Sequence, residues 1–397
     1  MFARSGYRRL WAARTASQWG DVFATVALSL LVLELTGSAL GVTAVVLAEI
    51  VPVLLLAPLA GTLVDRLPKA RVMVAADLLR AALAASLTFV DGHVSAVYAI
   101  AFGLSVGTVL FNPAANSALP TLVDDDQLIA ANSGIWTAAV LSQVVLAPLA
   151  GLVYVALGPD PAFALNAVSF LTSAALLTGL RLPATPASTD RHGWFADAAT
   201  GVRLVVADRV LRALAAGQLL AALSAGASGA LLVVLARGRL DLSPSGYGLL
   251  LGAIGVGAAL GPLLLTRLIS DPRRPAFVLG PYLLRGAVDL VLAVTTVLPV
   301  ALAALVAYGL GTSVGAVTFS SLVQVHAPSH ARGRVFASFD LLWQLGRLSS
   351  LILGGLLADT FGIQAVYYLV GALMFLAAAI GWHGLRTTTV GSAASRR

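Results

Sequence analysis

The chain has 397 residues, of which 59% are hydrophobic and 11% charged, with a formal net charge of +7 and no cysteine. Soluble proteins carry about 25% charged residues, and no soluble core could bury this much apolar surface, so lipid is expected to solvate the helix exteriors. Without cysteine, disulfides, iron–sulfur clusters and thiol nucleophiles are excluded.

The segment Met1 to Arg14 is basic and too polar for a cleaved signal, so the first apolar run, 17–36, reads as a retained span. Crossing a bilayer takes about 20 helical residues. Further runs of that kind lie at 41–64, 72–90, 94–116, 128–154, 161–181, 207–235, 245–267, 275–296, 299–322, 333–357 and 362–383. The expectation is an all-α membrane protein with twelve transmembrane helices. The one extended polar stretch, 182–206, divides them six and six: an N-terminal bundle (1–181), a cytoplasmic linker and a C-terminal bundle with a short basic tail (207–397). From Trp194 to Arg212 the pattern is amphipathic and suits a helix lying along the membrane surface.

Charge placement orients the chain. With the N-terminus inside, twenty of the 25 basic residues fall on the cytoplasmic side and two, Arg237 and Arg239, opposite; Arg80, Arg285 and Arg347 lie inside spans. The positive-inside rule then places both termini in the cytoplasm. A basic balance distributed this way points to a bilayer as partner and away from nucleic acid. The halves also echo one another. A shift of 204 pairs Gly151-Leu152 with Gly355-Leu356, and a shift of 205 pairs Leu78-Leu79-Arg80 with Leu283-Leu284-Arg285. Two parallel repeats are the arrangement this favours.

Polar groups inside spans mark the expected transport path, because they are costly in hydrocarbon. Gln18, Asp21, Thr25 and Ser29 share one face of span 1 at spacings of three and four. Asn132, Trp136 and Gln143 do so on span 5, and Asp340, Trp343, Gln344 and Arg347 on span 11. Amides and indoles on such faces suit an amphipathic organic substrate, although interhelical hydrogen bonding would use the same amides. Asp21, Glu49 and Asp340 are the candidate proton carriers. Asp77 with Arg80, and Arg285 with Asp289, lie at i, i+3 and i, i+4, where they can pair, and read as structural. Asp124-Asp125-Asp126 reads as a solvated loop that caps helix 5. His326 and His330 have a metal-pair spacing, but Pro328 lies between them and no glutamate is adjacent, so no metal is expected. Neither a Ser–His–Asp set nor a phosphate loop is present, and Lys69 is the sole lysine. No enzyme chemistry and no cofactor are indicated.

The run Gly61-Thr62-Leu63-Val64-Asp65-Arg66-Leu67-Pro68-Lys69-Ala70-Arg71 between spans 2 and 3 resembles the helix 2–3 loop signature of the major facilitator superfamily. Phe111-Asn112-Pro113-Ala114, Ala118-Leu119-Pro120 and Ala131-Asn132 resemble its enterobactin-exporter and macrolide-efflux branch, as does Gly201-Val202-Arg203. Ala147-Pro148-Leu149-Ala150-Gly151 resembles an antiporter motif, with alanine for its first glycine, leaving Pro148 and Gly151 in place. The C-terminal counterpart of the loop motif lacks its Asp-Arg, and span 4 lacks the intramembrane arginine of many proton-coupled relatives. The resemblance implies a monomeric exporter of drugs, siderophores or secondary metabolites in the inner (cytoplasmic) membrane, coupled to protons. Gly61, Asp65, Arg66 and Arg71 would form a conformational switch. Two other readings are a proton-coupled uptake symporter and an uncoupled lipid-translocating or receptor-like protein.

Overall fold

The computed structural model describes residues 4–90, 92–180, 182, 194–268, 275–328 and 331–394. Side chains at 57–59, 61, 62, 65, 66, 125, 129, 194–198, 265–268, 275–278 and 384–394 lie outside that description. The described residues form fourteen α-helices and no strand. In order these are α1 (Ser5–Thr36), α2 (Ala39–Arg66), α3 (Lys69–Ser86), α4 (Val94–Ala118), α5 (Leu128–Leu157), α6 (Asp160–Thr178) and α7 (Trp194–Ala207). There follow α8 (Arg209–Ala230), α9 (Leu232–Gly238), α10 (Pro244–Leu268), α11 (Pro275–Val294), α12 (Leu298–His326), α13 (Arg332–Phe361) and α14 (Ile363–Ala394). Eleven are long and apolar enough to cross a membrane by length and composition. The other three are α7 and α9, which are short, and α11, whose first turn has no described side chains.

Local chemistry sets the helix ends. Gly37, at φ +61°, closes α1 by donating its N–H to Leu33 O at 2.8 Å, and Ser38 then caps α2 by accepting from Gly41 N. Asp208 caps α8 by accepting from Leu211 N at 2.8 Å. This cap splits the amphipathic stretch expected to run from Trp194 to Arg212, so α7 stops at Ala207. The α12 helix ends at His326 because Ala327, preceding Pro328, turns extended (ψ 130°); His330 lies outside the described residues. Two expectations are corrected. The seventh span is not one helix over 207–235 but α8 and α9, broken at Leu231, where ψ is 7°. The Asp124–Asp126 run does not cap α5, whose N-cap is Gln127 with no side-chain bond; Asp124 instead pairs with Arg4. The Gly61–Arg66 part of the loop signature forms the last turns of α2, in line with an apolar run over 41–64, with only Leu67 and Pro68 between it and α3.

Two compact units result, Met1–Thr189 with Asp241–Gly252, and Asp190–Leu240 with Ala253–Arg397. In the first, α1 packs on α5 and α6, α3 on α4 and α6, and α2 on α4. The second repeats the scheme, with α8 on α13 and α14 and α11 on α12 and α14. The first core joins Tyr7, Leu10, Met73, Phe111, Ala114, Leu122 and Leu177; the second joins Val210, Leu211, Leu214, Leu322, Val335 and Phe339. The α7 helix contributes to the latter through Val205, while Val202 and Val206 on its other side are exposed, so its apolar surface is split between protein and surroundings. Large apolar side chains stay exposed elsewhere, including Leu157 and Leu353, which in water would be untenable and in lipid are at home.

Small residues bring the backbones together. A Cβ on Gly257 of α10 would run into the Val306 carbonyl of α12, and one on Gly309 would run into the Ile254 carbonyl. Gly261 stands in the same way against Ser313, one turn on. Overpacking costs at least 1–3 kcal/mol where nothing can give, and backbone cannot. Gly257→Val is therefore expected to lower the monodisperse yield and the melting temperature in detergent, whereas Gly238→Val, where a Cβ meets open space, should leave both near wild type.

Candidate functional site: cavities and buried charges

The first cavity, of about 420 Å³, opens among α1, α4 and α5 and is lined by Arg14, Gln18, Asn116, Asn132, Ile135 and Trp136, among others. Its position follows from a seam between α1 and α5. Tyr7 OH donates to Ala131 O at 3.1 Å, and Trp11 Nε1 to Gly134 O at 3.1 Å. One turn further, Arg14 Nη1 donates to Asn116 Oδ1 of α4 at 3.0 Å. Tyr7, Trp11, Arg14, Gln18, Asp21 and Thr25 thus follow one another at steps of four and three on a single face. Trp136 keeps 47% of its surface exposed, an indole held at the cavity wall and not consumed in packing. Asn132 donates to Leu128 O at 2.9 Å, which leaves its amide oxygen for a ligand.

Further along the same α1 face lies a second cavity of about 280 Å³, walled by Asp21, Thr25, Glu49, Ser105, Thr108, Asn166 and Phe170 together with apolar groups. Two candidate proton carriers, Asp21 and Glu49, therefore share one space. Ser105 Oγ donates to the Glu49 backbone carbonyl and fixes α2 against α4 there. The nearest charges acting on Asp21 are Arg80 and Asp77. That pair is closed: Arg80 bonds Asp77, Ser173 Oγ donates to the other Asp77 oxygen at 2.6 Å, and both residues are buried. The guanidinium lies between the rings of Phe111 (4.6 Å) and Phe170 (4.3 Å).

The second unit holds a cavity of about 370 Å³ lined by Gln218, Tyr282, Arg285, Phe319, Phe336, Asp340 and Trp343, with small residues filling the remainder. Here the expected pairing fails. Arg285 makes no ion pair with Asp289 among the described residues; its Nη2 donates to Tyr308 OH at 3.1 Å, with the guanidinium carbon 4.8 Å from that ring's centre. The i, i+4 spacing permitted the pair, but the tyrosine on α12 offers the guanidinium both an acceptor and a π face, and draws it to the cavity.

Of the remaining expected site residues, Ser29, Gln143, Gln344 and Arg347 line none of these three cavities. Ser29 Oγ bonds Thr25 O at 2.8 Å, and Gln143, Gln344 and Arg347 are partly buried. Arg71 is exposed, and the side chains of Gly61, Asp65 and Arg66 lie outside the described residues. The antiporter-like motif forms a backbone contact within the first unit. A Cβ on Gly151 would strike the Pro244 carbonyl, one on Gly248 the Ala147 carbonyl, and Gly252 sits against Pro148. Arg14, Asn116, Gln218, Tyr282 and Phe319 were not anticipated. Extending the α1 stripe backward by the same spacing would have reached Arg14 and Tyr7; nothing in single-helix periodicity singles out the others, which become neighbours only through α1–α4 and α11–α13 geometry.

Arg80→Gln leaves Asp77 buried without its cation, a loss of about 3–5 kcal/mol for a pair of this kind. The variant should aggregate on extraction or melt well below wild type. Arg80→Lys should recover only part of the loss, since an ammonium cannot fill the flat slot between two rings.

Comparison with known proteins gives a consistent result. Residues 1–395 match the model of a family described as transmembrane secretion effectors. The chain is 30% identical over 383 residues to the multidrug efflux pump Tap of Mycolicibacterium fortuitum, covering 92% of each. It is 26% identical over 178 residues to macrolide efflux protein A of Streptococcus pyogenes, covering 44% of each. Among solved structures, a bacterial homologue of the iron transporter ferroportin superposes with a TM-score of 0.77 at 19% identity, covering 97% of this chain and 99% of the other, a likeness of fold.

Proposed function

This chain belongs to the transmembrane secretion effector family of major facilitator transporters, and from that premise we propose that it exports a small amphipathic or hydrophobic molecule across the cytoplasmic membrane in exchange for protons. Membership makes it a multi-pass efflux-type membrane transporter and not an enzyme. The names of its relatives concern multidrug and macrolide efflux. The observation that carries the substrate class is the cavity at Gln18, Asn132 and Trp136, where an exposed indole and several amides with one guanidinium surround a volume near 420 Å³. Such a lining recognises a flat apolar body with a few hydrogen-bonding groups and makes no demand for one fixed pattern.

Asp21 is the coupling acid in this reading. It lies one turn from Gln18 and Thr25, shares its cavity with Glu49, and is under the field of the Asp77–Arg80 pair. Alternating access by rocking of two repeats around the path supplies the transport step. Gly61, Asp65, Arg66 and Arg71 bias it by holding contacts available in one access state only.

Purified protein in liposomes, with a panel of fluorescent amphiphilic dyes and an internal pH indicator, tests this. The expected result is dye movement opposed to proton movement, with both lost in Asp21→Asn. Trp136→Ala should raise the half-saturating dye concentration roughly tenfold, as loss of an indole contact does. Dye and protons moving together would establish uptake instead, and dye movement without a proton signal would establish uncoupled translocation.

A further inference from the structure

The two units handle one repeated arginine in opposite ways. Arg80 and Arg285 coincide under the 205-residue shift, which sets Asp77 against Tyr282 and leaves Asp289 one turn on the far side. In the first unit the arginine is closed onto its acid. In the second, Asp289 is 0% exposed and neither carboxyl oxygen has a hydrogen-bond partner, while Arg285, 5% exposed, has turned to Tyr308; the Nε is unpartnered in both arginines. An ionised carboxyl left in this condition inside a membrane helix is strongly disfavoured.

We propose that Asp289 is a proton-binding site whose occupancy sets whether Arg285 stands in the 370 Å³ cavity, and that this cavity takes an organic cation when Arg285 is withdrawn. The inference deepens the export reading and rests on it. With the proton on Asp289, Arg285 lines the cavity and repels a positive ligand. With the proton gone, the carboxylate lies at i, i+4 from the guanidinium and draws it back along α11. What remains in the cavity is Asp340 with Tyr282, Phe319, Phe336 and Trp343, an acid among aromatic faces, the usual surroundings of a large organic cation. Proton and cation thus exclude one another without competing for the same atoms, which is the logic of exchange.

The neighbourhood leaves Arg285 as the partner in question. On α11 itself Arg285 is the charged group acting on Asp289, and Tyr282 faces the cavity. From α12 comes Tyr308, bonded to Arg285. The α14 surface against α11 presents Gly371, Met374 and Phe375 at Gly286, and its Tyr367 hydroxyl is turned to Ser228 O at 3.0 Å. From α8, the buried Ser224 hydroxyl lies by Asp289 without a well-formed hydrogen bond. Asp340 of α13 shares the cavity and titrates too, so its contribution has to be separated.

Equilibrium binding of tetraphenylphosphonium to the purified full-length protein across pH does this, because the probe carries a permanent charge and no transport is required. Wild type is expected to bind about tenfold more tightly at high pH than at low pH, the scale of one unit charge across a partly screened cavity. Asp289→Asn should stay at the weak level throughout. Arg285→Gln should bind tightly with no pH step beyond the one Asp340 contributes, and the Arg285→Gln, Asp289→Asn double variant should match Arg285→Gln, since without the guanidinium Asp289 has nothing to control. Asp340→Asn should weaken binding but keep a pH step that vanishes on adding Arg285→Gln. Asp289→Glu, tested for the case that the asparagine variant misfolds, should retain the step. The proposal is overturned if wild type fails to bind the probe or binds it independently of pH, if Asp289→Asn retains the wild-type step, or if the double variant is as weak as Asp289→Asn alone. The liposome experiment decides the export reading independently: this binding pattern can hold where no proton-driven dye movement occurs, and can fail where it does.

Discussion

A charge placed in the middle of a membrane protein must find its counter-charge and its hydrogen bonds within the protein, because hydrocarbon supplies neither. Around Arg80 the first unit meets this requirement except at Nε, which is buried without a partner. The cation comes from α3 and its acid from one turn earlier on the same helix. A ring comes from α4, and a second ring with the Ser173 hydroxyl from α6. Three helices are thereby fixed in depth as well as in rotation. Gly107 of α4 completes the site by omission, since a Cβ there would occupy the space of the Arg80 side chain. The α1 face carrying Asp21, the proposed coupling acid, lies within the electrostatic reach of this cluster.

The same economy governs packing. With 38 glycines and 59% hydrophobic residues, the chain has little polar material for joining its helices, and lipid offers no hydrophobic drive between them. Contact therefore relies on backbones approaching closely, as at Gly257 and Gly309 on α10 and α12, or at Gly151 and Gly248 on α5 and the start of α10. In the second case the antiporter-like motif acquires a physical meaning independent of its name: its Ala147 and Gly151 leave room for the backbone of α10 to come into contact.

Much of this was legible from residue order. Helix-forming apolar runs and the repeated Arg80 and Arg285 follow from local chemistry acting at one or two turns, whereas the Asp208 cap that ends α7 was missed. Gln18, Asn132 and Trp136 could each be placed on the polar stripe of its own helix. What periodicity could not supply was which stripe meets which, and Asn116 joined the cavity only through α4. Nor could it decide between two possible partners for one side chain. Arg285 had Asp289 at a permissive spacing, and only the placement of Tyr308 from another helix shows the guanidinium turned away. The α7 helix shows the same limit, for an amphipathic face does not record how much of it will cover protein, as Val205 does at the start of α13, and how much will stay exposed, as Val202 and Val206 do.

An internal repeat makes such differences informative. Where two copies of a motif retain the same arginine but one shifts its acid from a turn before to a turn after, the ancestral neutralisation is not simply lost. The i, i+3 acid at Asp77 is held by Ser173 and cannot leave its cation without exposing two buried charges. The i, i+4 acid at Asp289 has no comparable anchor, since Ser224 beside it forms no good hydrogen bond. A closed pair resists change and serves as a fixed point; in the proposal above the open pair has two arrangements that differ by one proton. A transporter needs both kinds of element, one to hold a bundle rigid and one to let it respond, and here the difference between them comes to the position of a single carboxyl along a helix.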